Sequence, residues 1–155
     1  MSIPKPLAGV AGEWTGTYRL WFSPDDDPAI ESESTAEVGL VAMGKFLTMR
    51  YGWTFDGKVQ EGFFLIGVDD AAVELNAQWV DSFHNSNRIM PCRGAVPAAD
   101  GEVSVLGSYS APPGPDWGWR TVLEHGAGDT LRMLAFNITP EGEEQRAVEV
   151  VYRRR

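Results

Sequence analysis

The chain has 155 residues, of which 43% are hydrophobic and 23% charged, and this is typical of a single soluble globular domain over residues 1–155. Its formal net charge of −9 argues against the basic surface that nucleic-acid binding requires, and anionic membranes should repel it. Cys92 is the single cysteine, so an internal disulfide cannot form. No apolar run approaches the roughly 20 residues of a membrane-spanning helix, and the N-terminal segment lacks the apolar core of a secretion signal. We therefore expect a cytoplasmic protein.

Ten segments of alternating apolar and polar residues follow one another along the chain. Such alternation is typical of β-strands that bury one face, and turn residues separate the segments. Before the first segment, residues 7–10 could form at most a short helical turn. The predicted strands cover residues 12–23, 33–43, 45–55, 58–68, 73–83, 88–94, 102–111, 117–124, 130–138 and 145–153.

The connections between these segments favour a closed sheet. Residues 23–28 contain two prolines and three aspartates, which cannot lie inside a ladder, and Asp56-Gly57 is a strong hairpin signal. Further turns are predicted at residues 97–101 and 126–129. Short connections join neighbouring antiparallel strands, and closure removes the unpaired edges of the sheet. We therefore predict an all-β fold, a single antiparallel up-and-down β-barrel of about ten strands. A two-sheet sandwich is the alternative.

Aromatic and methionine side chains occupy many of the positions that would line the barrel interior. We expect Trp14, at the start of the first strand, to fill one end of the barrel as core. The others could fill the interior or form the wall of a ligand cavity, because barrels with more than about eight strands enclose space that side chains do not easily fill. These candidates are Tyr18, Leu20, Phe22, Met49, Tyr51, Trp53, Phe64, Trp79, Trp119 and Met133.

Polar residues within largely apolar strands are candidates for contacts to a ligand. They are Arg50, Gln78, Asp81, Arg120 and Glu149. If Arg120 and Glu149 face the interior they must be paired, and an interior arginine could also bind a ligand carboxylate. The alternative, that both lie on the solvated outer face, stays open because a period of two does not say which face points inward.

Metal binding and nucleophilic catalysis are poorly supported by the sequence. His84 lies in a polar turn and His125 precedes a glycine, and neither has a second His or Cys at ligand spacing. The chain has no Gly-x-Ser-x-Gly motif, and Cys92 has no evident histidine partner. We therefore predict no metal, no cofactor and no catalytic residue.

The segment Gly-Glu-Trp-Thr-Gly at residues 12–16 is similar to the start of the first strand in calycin proteins, which include lipocalins and fatty-acid-binding proteins. Further similar segments occur in order at residues 44–47, 62–69, 79–82 and 148–153. Together they resemble an uncharacterised bacterial family of small lipocalin-like proteins. The resemblance implies a barrel of about ten strands around a cavity, with the indole of Trp14 closing one end.

A related family of cytosolic barrels binds haem through a histidine on the last strand. Residues 145–148 of this chain contain no histidine, so we do not expect haem.

These features lead us to expect that the barrel interior binds a small, mostly apolar molecule, with or without a carboxylate. The predicted ligand-binding residues are Tyr18, Leu20, Met49, Tyr51, Phe64, Trp79, Trp119, Arg120, Met133 and Glu149. One alternative is a cofactor-independent decarboxylase or isomerase, since some lipocalin-like bacterial enzymes use interior Tyr, Arg and Glu. Another is a solid barrel that self-associates, for example as a homodimer, through outward-facing Trp21 and Trp53. No nucleic-acid or membrane partner is expected.

Overall fold

The described part of the chain forms a closed antiparallel barrel. The computed structural model describes residues 3–98, 102–126 and 129–155, so parts of the turns predicted at 97–101 and 126–129 lie outside the described residues. A four-residue helix, α1 (Lys5–Ala8), precedes the strands β1 (Gly12–Leu20), β2 (Ile30–Val41), β3 (Phe46–Phe55), β4 (Lys58–Asp69), β5 (Glu74–Asp81), β6 (Met90–Ala95), β7 (Val103–Tyr109), β8 (Trp117–Gly126), β9 (Thr130–Ile138) and β10 (Glu144–Arg154). Each strand pairs with its neighbours in the chain, and β10 closes against β1. The up-and-down barrel is confirmed, and the sandwich alternative is wrong.

The strand boundaries differ most from the predicted ones at the first loop. β1 ends at Leu20 instead of continuing to residue 23, and β2 begins three residues earlier than predicted, at Ile30. The backbone N–H of Ala29 donates to the carbonyl of Leu20 at 2.8 Å, which ends the paired region there. Phe22 therefore lies beyond the strand and is 65% exposed. The prediction that it lines the interior is wrong, because the chain has already left the barrel wall.

The turn between β3 and β4 fixes the register of these two strands. Asp56 and Gly57 both have positive φ angles, 49° and 72°, as a two-residue hairpin with right-handed twist requires. Pairing outward from this turn places Tyr51 directly opposite Gly62. The pairing places the ring of Tyr51 over Gly62.

The two ends of the barrel are closed differently. At the end that carries α1, the indole of Trp14 is completely buried and its Nε1 donates to the carbonyl of Val10 at 2.9 Å. The guanidinium of Arg154 lies 4.4 Å from the centre of the Trp14 ring and donates to the carbonyl of Ala11 at 2.7 Å. The prediction that Trp14 is core is thus confirmed. We call the opposite end, where the connections 21–29, 56–57, 82–89, 110–116 and 139–143 lie, the loop end.

Aromatic rings occupy much of the barrel interior. Tyr18 stacks on Trp53 with ring centres 4.2 Å apart, and Trp79 stacks on Trp119 at 5.1 Å. Within the described ranges, no helix is long and apolar enough to cross a membrane.

Candidate functional site

Eight of the ten residues predicted to bind a ligand point into the barrel. All eight are buried members of its hydrophobic core: Tyr18, Leu20, Met49, Tyr51, Phe64, Trp79, Trp119 and Met133. Their interior position follows the alternation of each strand. That they contact a ligand stays a prediction.

Arg120, predicted to bind a ligand if it faces the interior, points outward, as in the alternative that the sequence left open. Its neighbours Trp119 and Thr121 on β8 are both buried, and the intervening side chain lies on the outer face. There its guanidinium pairs with Glu144 and lies 4.7 Å from the centre of the Phe136 ring. The expectation of an interior arginine for a ligand carboxylate is therefore wrong.

Glu149 lies on the outer face for the same reason. Val148 and Val150, its neighbours on β10, are buried in the core, so the residue between them points outward. Its carboxylate oxygens lie 3.5 Å from Nη1 of Arg19 and 3.7 Å from Nη2 of Arg132. These arginines, not Arg120, are its ionic partners.

The tryptophans that would support self-association are buried. Trp53 stacks on Tyr18 inside the barrel and is 2% exposed. Trp21 is covered by the guanidinium of Arg146, which lies 4.5 Å from its ring centre. Because neither ring is available at the surface, the argument for an interface built on Trp21 and Trp53 is wrong.

Asp81 is the polar candidate that the fold places inside. Gln78 and Arg50 are both exposed on the outer face, where Arg50 approaches Glu61 at 3.7 Å. Asp81, the last residue of β5, is 3% exposed. A charged side chain is rarely so buried unless it has partners.

The first partner of Asp81 comes from two strands away. Tyr51 lies opposite Gly62, and Gly62 lies opposite Asp81, so the three residues form one row across β3, β4 and β5. The phenol of Tyr51 crosses over Gly62, where a Cβ atom would overlap the ring. Its hydroxyl donates to Oδ2 of Asp81 at 2.7 Å. The missing side chain of Gly62 is thus what allows this contact.

The second oxygen of Asp81 accepts three hydrogen bonds. The backbone N–H groups of Phe83 and His84 each donate to Oδ1 at 2.8 Å, and Nδ1 of the His84 ring lies 3.1 Å from the same oxygen. Burial by itself raises the pKa of Asp81, but the His84 side chain, the Tyr51 hydroxyl and the His84 backbone together lower it. Asp81 is therefore a buried, ionised carboxylate.

The hydroxyl of Tyr51 also accepts a hydrogen bond, from Nε1 of Trp79 at 3.0 Å. Burial and the nearby charge of Asp81 raise the pKa of Tyr51 well above its ordinary value. The phenol therefore stays protonated and serves as a donor to Asp81. The indole of Trp79 is oriented by the same network.

The Asp81 carboxylate fixes the tautomer and orientation of His84. In the neutral ring, donation from Nδ1–H to Asp81 leaves Nε2 as a hydrogen-bond acceptor. This Nε2 is buried and, within the described part of the chain, has no hydrogen-bond partner. The imidazole packs against aromatic rings, with centres 4.9 Å from Phe83 and 5.2 Å from Trp119.

A second buried polar atom in this region also lacks a partner. The hydroxyl of Thr121, on the inward face of β8, makes no hydrogen bond among the described residues, although the residue is 3% exposed. Buried polar groups are almost always paired in folded proteins. Four such atoms occur in the described part of the chain, on Trp21, Trp53, His84 and Thr121, and only His84 and Thr121 line the same void, which identifies their surroundings as the candidate site.

Two spaces that share Trp79, His84 and Trp119 as lining residues lie in this region. The inner void has a volume of about 10 Å³ and is bordered by His84, Thr121 and Trp119 among others. That is room for about one water-sized group. The recess, at the loop end, has a volume of about 140 Å³ and is lined by Trp79, His84, Asn85, Met90, Tyr109, Trp119 and Asn137. A cavity of about 150 Å³ accommodates one benzene ring.

Two larger grooves on the outer surface are less suitable as binding sites. One, of about 220 Å³, carries the charged side chains of Glu13, Glu37, Glu61, Arg50 and Arg155. The other, of about 360 Å³, includes Asp69, Asn76 and Gln78. Neither groove contains one of the buried, unpartnered side-chain atoms found in the described part of the protein.

The sequence alone did not identify His84 as part of a site. It lies in a polar turn, and we considered it only as a metal ligand. The sequence feature that could have identified His84 is its position three residues after Asp81. This spacing allows the two side chains to meet across the tight turn that follows β5. No group of three His, Cys, Asp or Glu side chains in the described ranges could hold a metal ion.

Cys92 is not suited to nucleophilic chemistry. Its thiol is buried inside the barrel, and burial raises its pKa to about 11. Since the thiolate is the reactive form, the buried thiol is inert at neutral pH.

One protein family matches nearly the whole chain. A family model described as protein of unknown function (DUF1579) matches residues 4–154. No curated protein is significantly similar to the chain. The match spans every strand of the barrel, together with the N-terminal helix.

Proposed function

The chain belongs to the DUF1579 family, and we propose that it binds a small, mostly apolar molecule in the recess at the loop end. The observation that carries this proposal is the wall of the recess. It combines the stacked rings of Trp79 and Trp119 with His84, whose Nε2 is buried and unpartnered among the described residues. An apolar wall with a few oriented polar groups is characteristic of small-molecule sites.

The ligand has the size of a single ring. The inner void is about 10 Å³, whereas the recess is about 140 Å³, so the bulk of the ligand lies at the mouth of the barrel. The buried aromatic residues beneath it act as a rigid support. A long fatty acid, as bound by some barrels of similar topology, would require the core to repack.

The ligand is uncharged in this proposal. Arg120, the predicted partner of a carboxylate, lies on the outer face, and Asp81, which contacts the recess residue His84, is itself negative. A carboxylate would be repelled by that charge. The remaining polar side chains of the recess, Asn85, Tyr109 and Asn137, are neutral.

The similarity to lipocalin-like barrels supports this location, because those proteins bind ligands inside the barrel and Trp14 closes the other end here.

We also propose a cytoplasmic protein that binds neither nucleic acid nor membranes, in keeping with its charge of −9. Homodimer formation remains a separate prediction, for which the outer apolar residues Leu40, Phe46 and Val80 are available.

Filling the recess tests the binding proposal. Toluene should bind to the wild-type protein with one-to-one stoichiometry in isothermal titration calorimetry. Asn137→Trp should abolish this binding, because the indole would occupy the recess. Asn76→Trp, which adds the same ring to an outer groove, should leave it unchanged. Absence of binding for a panel of benzene-sized molecules, or equal binding by the two variants, would overturn the proposal.

A second candidate function is cofactor-independent proton transfer, as in an isomerase. The Asp81–His84 pair favours it, because a carboxylate that orients a histidine is a recurring arrangement for a general base. The test is the exchange of α-hydrogens for deuterium in small neutral carbonyl compounds, followed by NMR. Exchange that the wild-type protein catalyses and His84→Gln does not would support this function. Exchange by the wild-type protein at the rate seen in buffer alone would exclude it for those compounds.

A further inference from the structure

We propose that the ligand carries a hydroxyl group, which enters the inner void and is bound by His84 and Thr121 together. This places the ligand in the class of small phenols and ring-sized alcohols. The inference rests on the proposed binding in the recess and specifies its chemistry. It is based on two buried polar atoms that lack partners within the described residues and border the same void.

The hydrogen-bonding capacities of the two atoms define the missing group. In the neutral form of the His84 ring, Nδ1 carries the proton that is donated to Asp81, and Nε2 is then an acceptor. The hydroxyl of Thr121 can donate one and accept others. A ligand hydroxyl satisfies both atoms at once, since it donates its proton to Nε2 and accepts from the Thr121 O–H.

Other groups satisfy this pair less well. A ketone or ether oxygen could accept from Thr121 but would leave Nε2 of His84 without a donor. A methyl group would leave both atoms unpaired. A carboxylate would bring a negative charge close to Asp81, which is ionised and buried.

The sizes of the two spaces agree with a ring that bears one small polar substituent. The inner void, about 10 Å³, has room for one oxygen-sized group, and the recess, about 140 Å³, has room for a ring. Trp79, His84 and Trp119 border both spaces. A phenol could therefore place its ring against the indoles of the recess and its hydroxyl in the void.

The site is also pre-oriented. Thr121 lies in the middle of β8, where its backbone is paired on both sides. The His84 ring is held by Asp81 and by the surrounding aromatic rings. Neither side chain must be reordered on binding, which limits the entropic cost of association.

Matched ligands and a matched pair of variants test this inference by calorimetry. Phenol should bind the wild-type protein about tenfold more tightly than toluene, which replaces the hydroxyl with a methyl group of similar size. Thr121→Val, which keeps the shape of the side chain, should reduce the preference for phenol several-fold while the affinity for toluene is retained. Thr15→Val makes the same change at an exposed position on β1 and should alter neither affinity.

The outcomes separate the two proposals. If neither phenol nor toluene binds, the proposed function fails. If both bind equally well to the wild-type protein, or if Thr121→Val leaves the preference for phenol intact, the hydroxyl inference fails while ligand binding stands. His84→Phe provides a second variant, because it removes Nε2 but keeps a ring, and it should also lose the preference for phenol. Anisole, which cannot donate and whose methoxy group is larger than the inner void, should bind no more tightly than toluene.

Discussion

Replacing Tyr51 with Phe tests the buried network that underlies the candidate site. The substitution removes one oxygen atom and leaves the ring in place over Gly62, so the core loses little packing. Asp81 would lose the hydroxyl that donates to Oδ2 at 2.7 Å, and the indole N–H of Trp79 would lose its acceptor at 3.0 Å. The Asp81 carboxylate and the Trp79 N–H would both remain buried without these partners.

The magnitude follows from these two losses. A hydrogen bond to an ionised group contributes about 1.5–3 kcal/mol, and a buried donor left without a partner costs about 1–3 kcal/mol. Tyr51→Phe should therefore lower the free energy of unfolding by roughly 3–5 kcal/mol. A domain in the middle of the usual stability range, about 10 kcal/mol, remains folded after such a loss, so the unfolding of the variant can be measured.

Urea unfolding followed by tryptophan fluorescence gives this free energy. Tyr109→Phe is the matched control, because its hydroxyl donates to Oδ1 of Asn137 at 2.6 Å from a partly buried position. That variant should lose about 0.5–1.5 kcal/mol. A loss below about 1 kcal/mol for Tyr51→Phe, or one no larger than that of Tyr109→Phe, would refute the reasoning.

A double-mutant cycle provides a further check on the same contact. Tyr51→Phe and Asp81→Asn should each be destabilising, and together they should cost less than the sum of the two, because they break the same contact. Strict additivity would mean that the hydroxyl and the carboxylate do not interact.

Three further predictions concern Trp14, Arg120 and the charge of Asp81. Trp14→Ala should lower the free energy of unfolding by about 3–5 kcal/mol in urea titrations, because it opens a cavity at the helix end, and a loss typical of surface positions would contradict its role as core. Arg120→Leu should cost less than about 1 kcal/mol, as expected for an ion pair on the outer face, whereas a loss of about 3–5 kcal/mol would indicate a buried pair. The lowered pKa of Asp81 means that the stability it contributes is fully present above about pH 4, its ordinary range, and is lost as the pH falls through the folded-state pKa. The stability difference between wild type and Asp81→Asn should therefore narrow in acid, and a difference that stays constant with pH would argue against an ionised Asp81.

The barrel itself was predictable because its determinants are local. Alternation with a period of two identifies strands that bury one face, and short turns restrict each strand to pairing with its neighbours. The hairpin at Asp56-Gly57 even fixes a register, since counting outward from it places Tyr51 opposite Gly62. Trp14 was predictable as core because a large aromatic residue near the start of the first strand is usually buried.

The faces of individual strands were decided by the tertiary structure. On β8, apolar residues occur on both sides, and Val122 is buried although it lies on the same face as Arg120. The alternation therefore defined two faces of β8 without showing which one points inward. Closure of the barrel settled this, and it put Arg120 and Glu149 outside. There Arg120 pairs with Glu144, two strands away on β10, and Glu149 pairs with Arg132 on the neighbouring strand β9.

The candidate site depends on closure even more strongly. Asp81 and His84 are close in sequence, but Tyr51 comes from β3, Gly62 from β4 and Thr121 from β8. No local pattern relates these residues, because their contact depends on the rows that form when strands pair across the whole sheet. The volumes of the inner void and the recess are likewise properties of packing, since they are what remains after every interior side chain has taken its place. The sequence therefore determined the barrel through local alternation and turns, whereas the site was decided by long-range packing, which brings distant strands to one point.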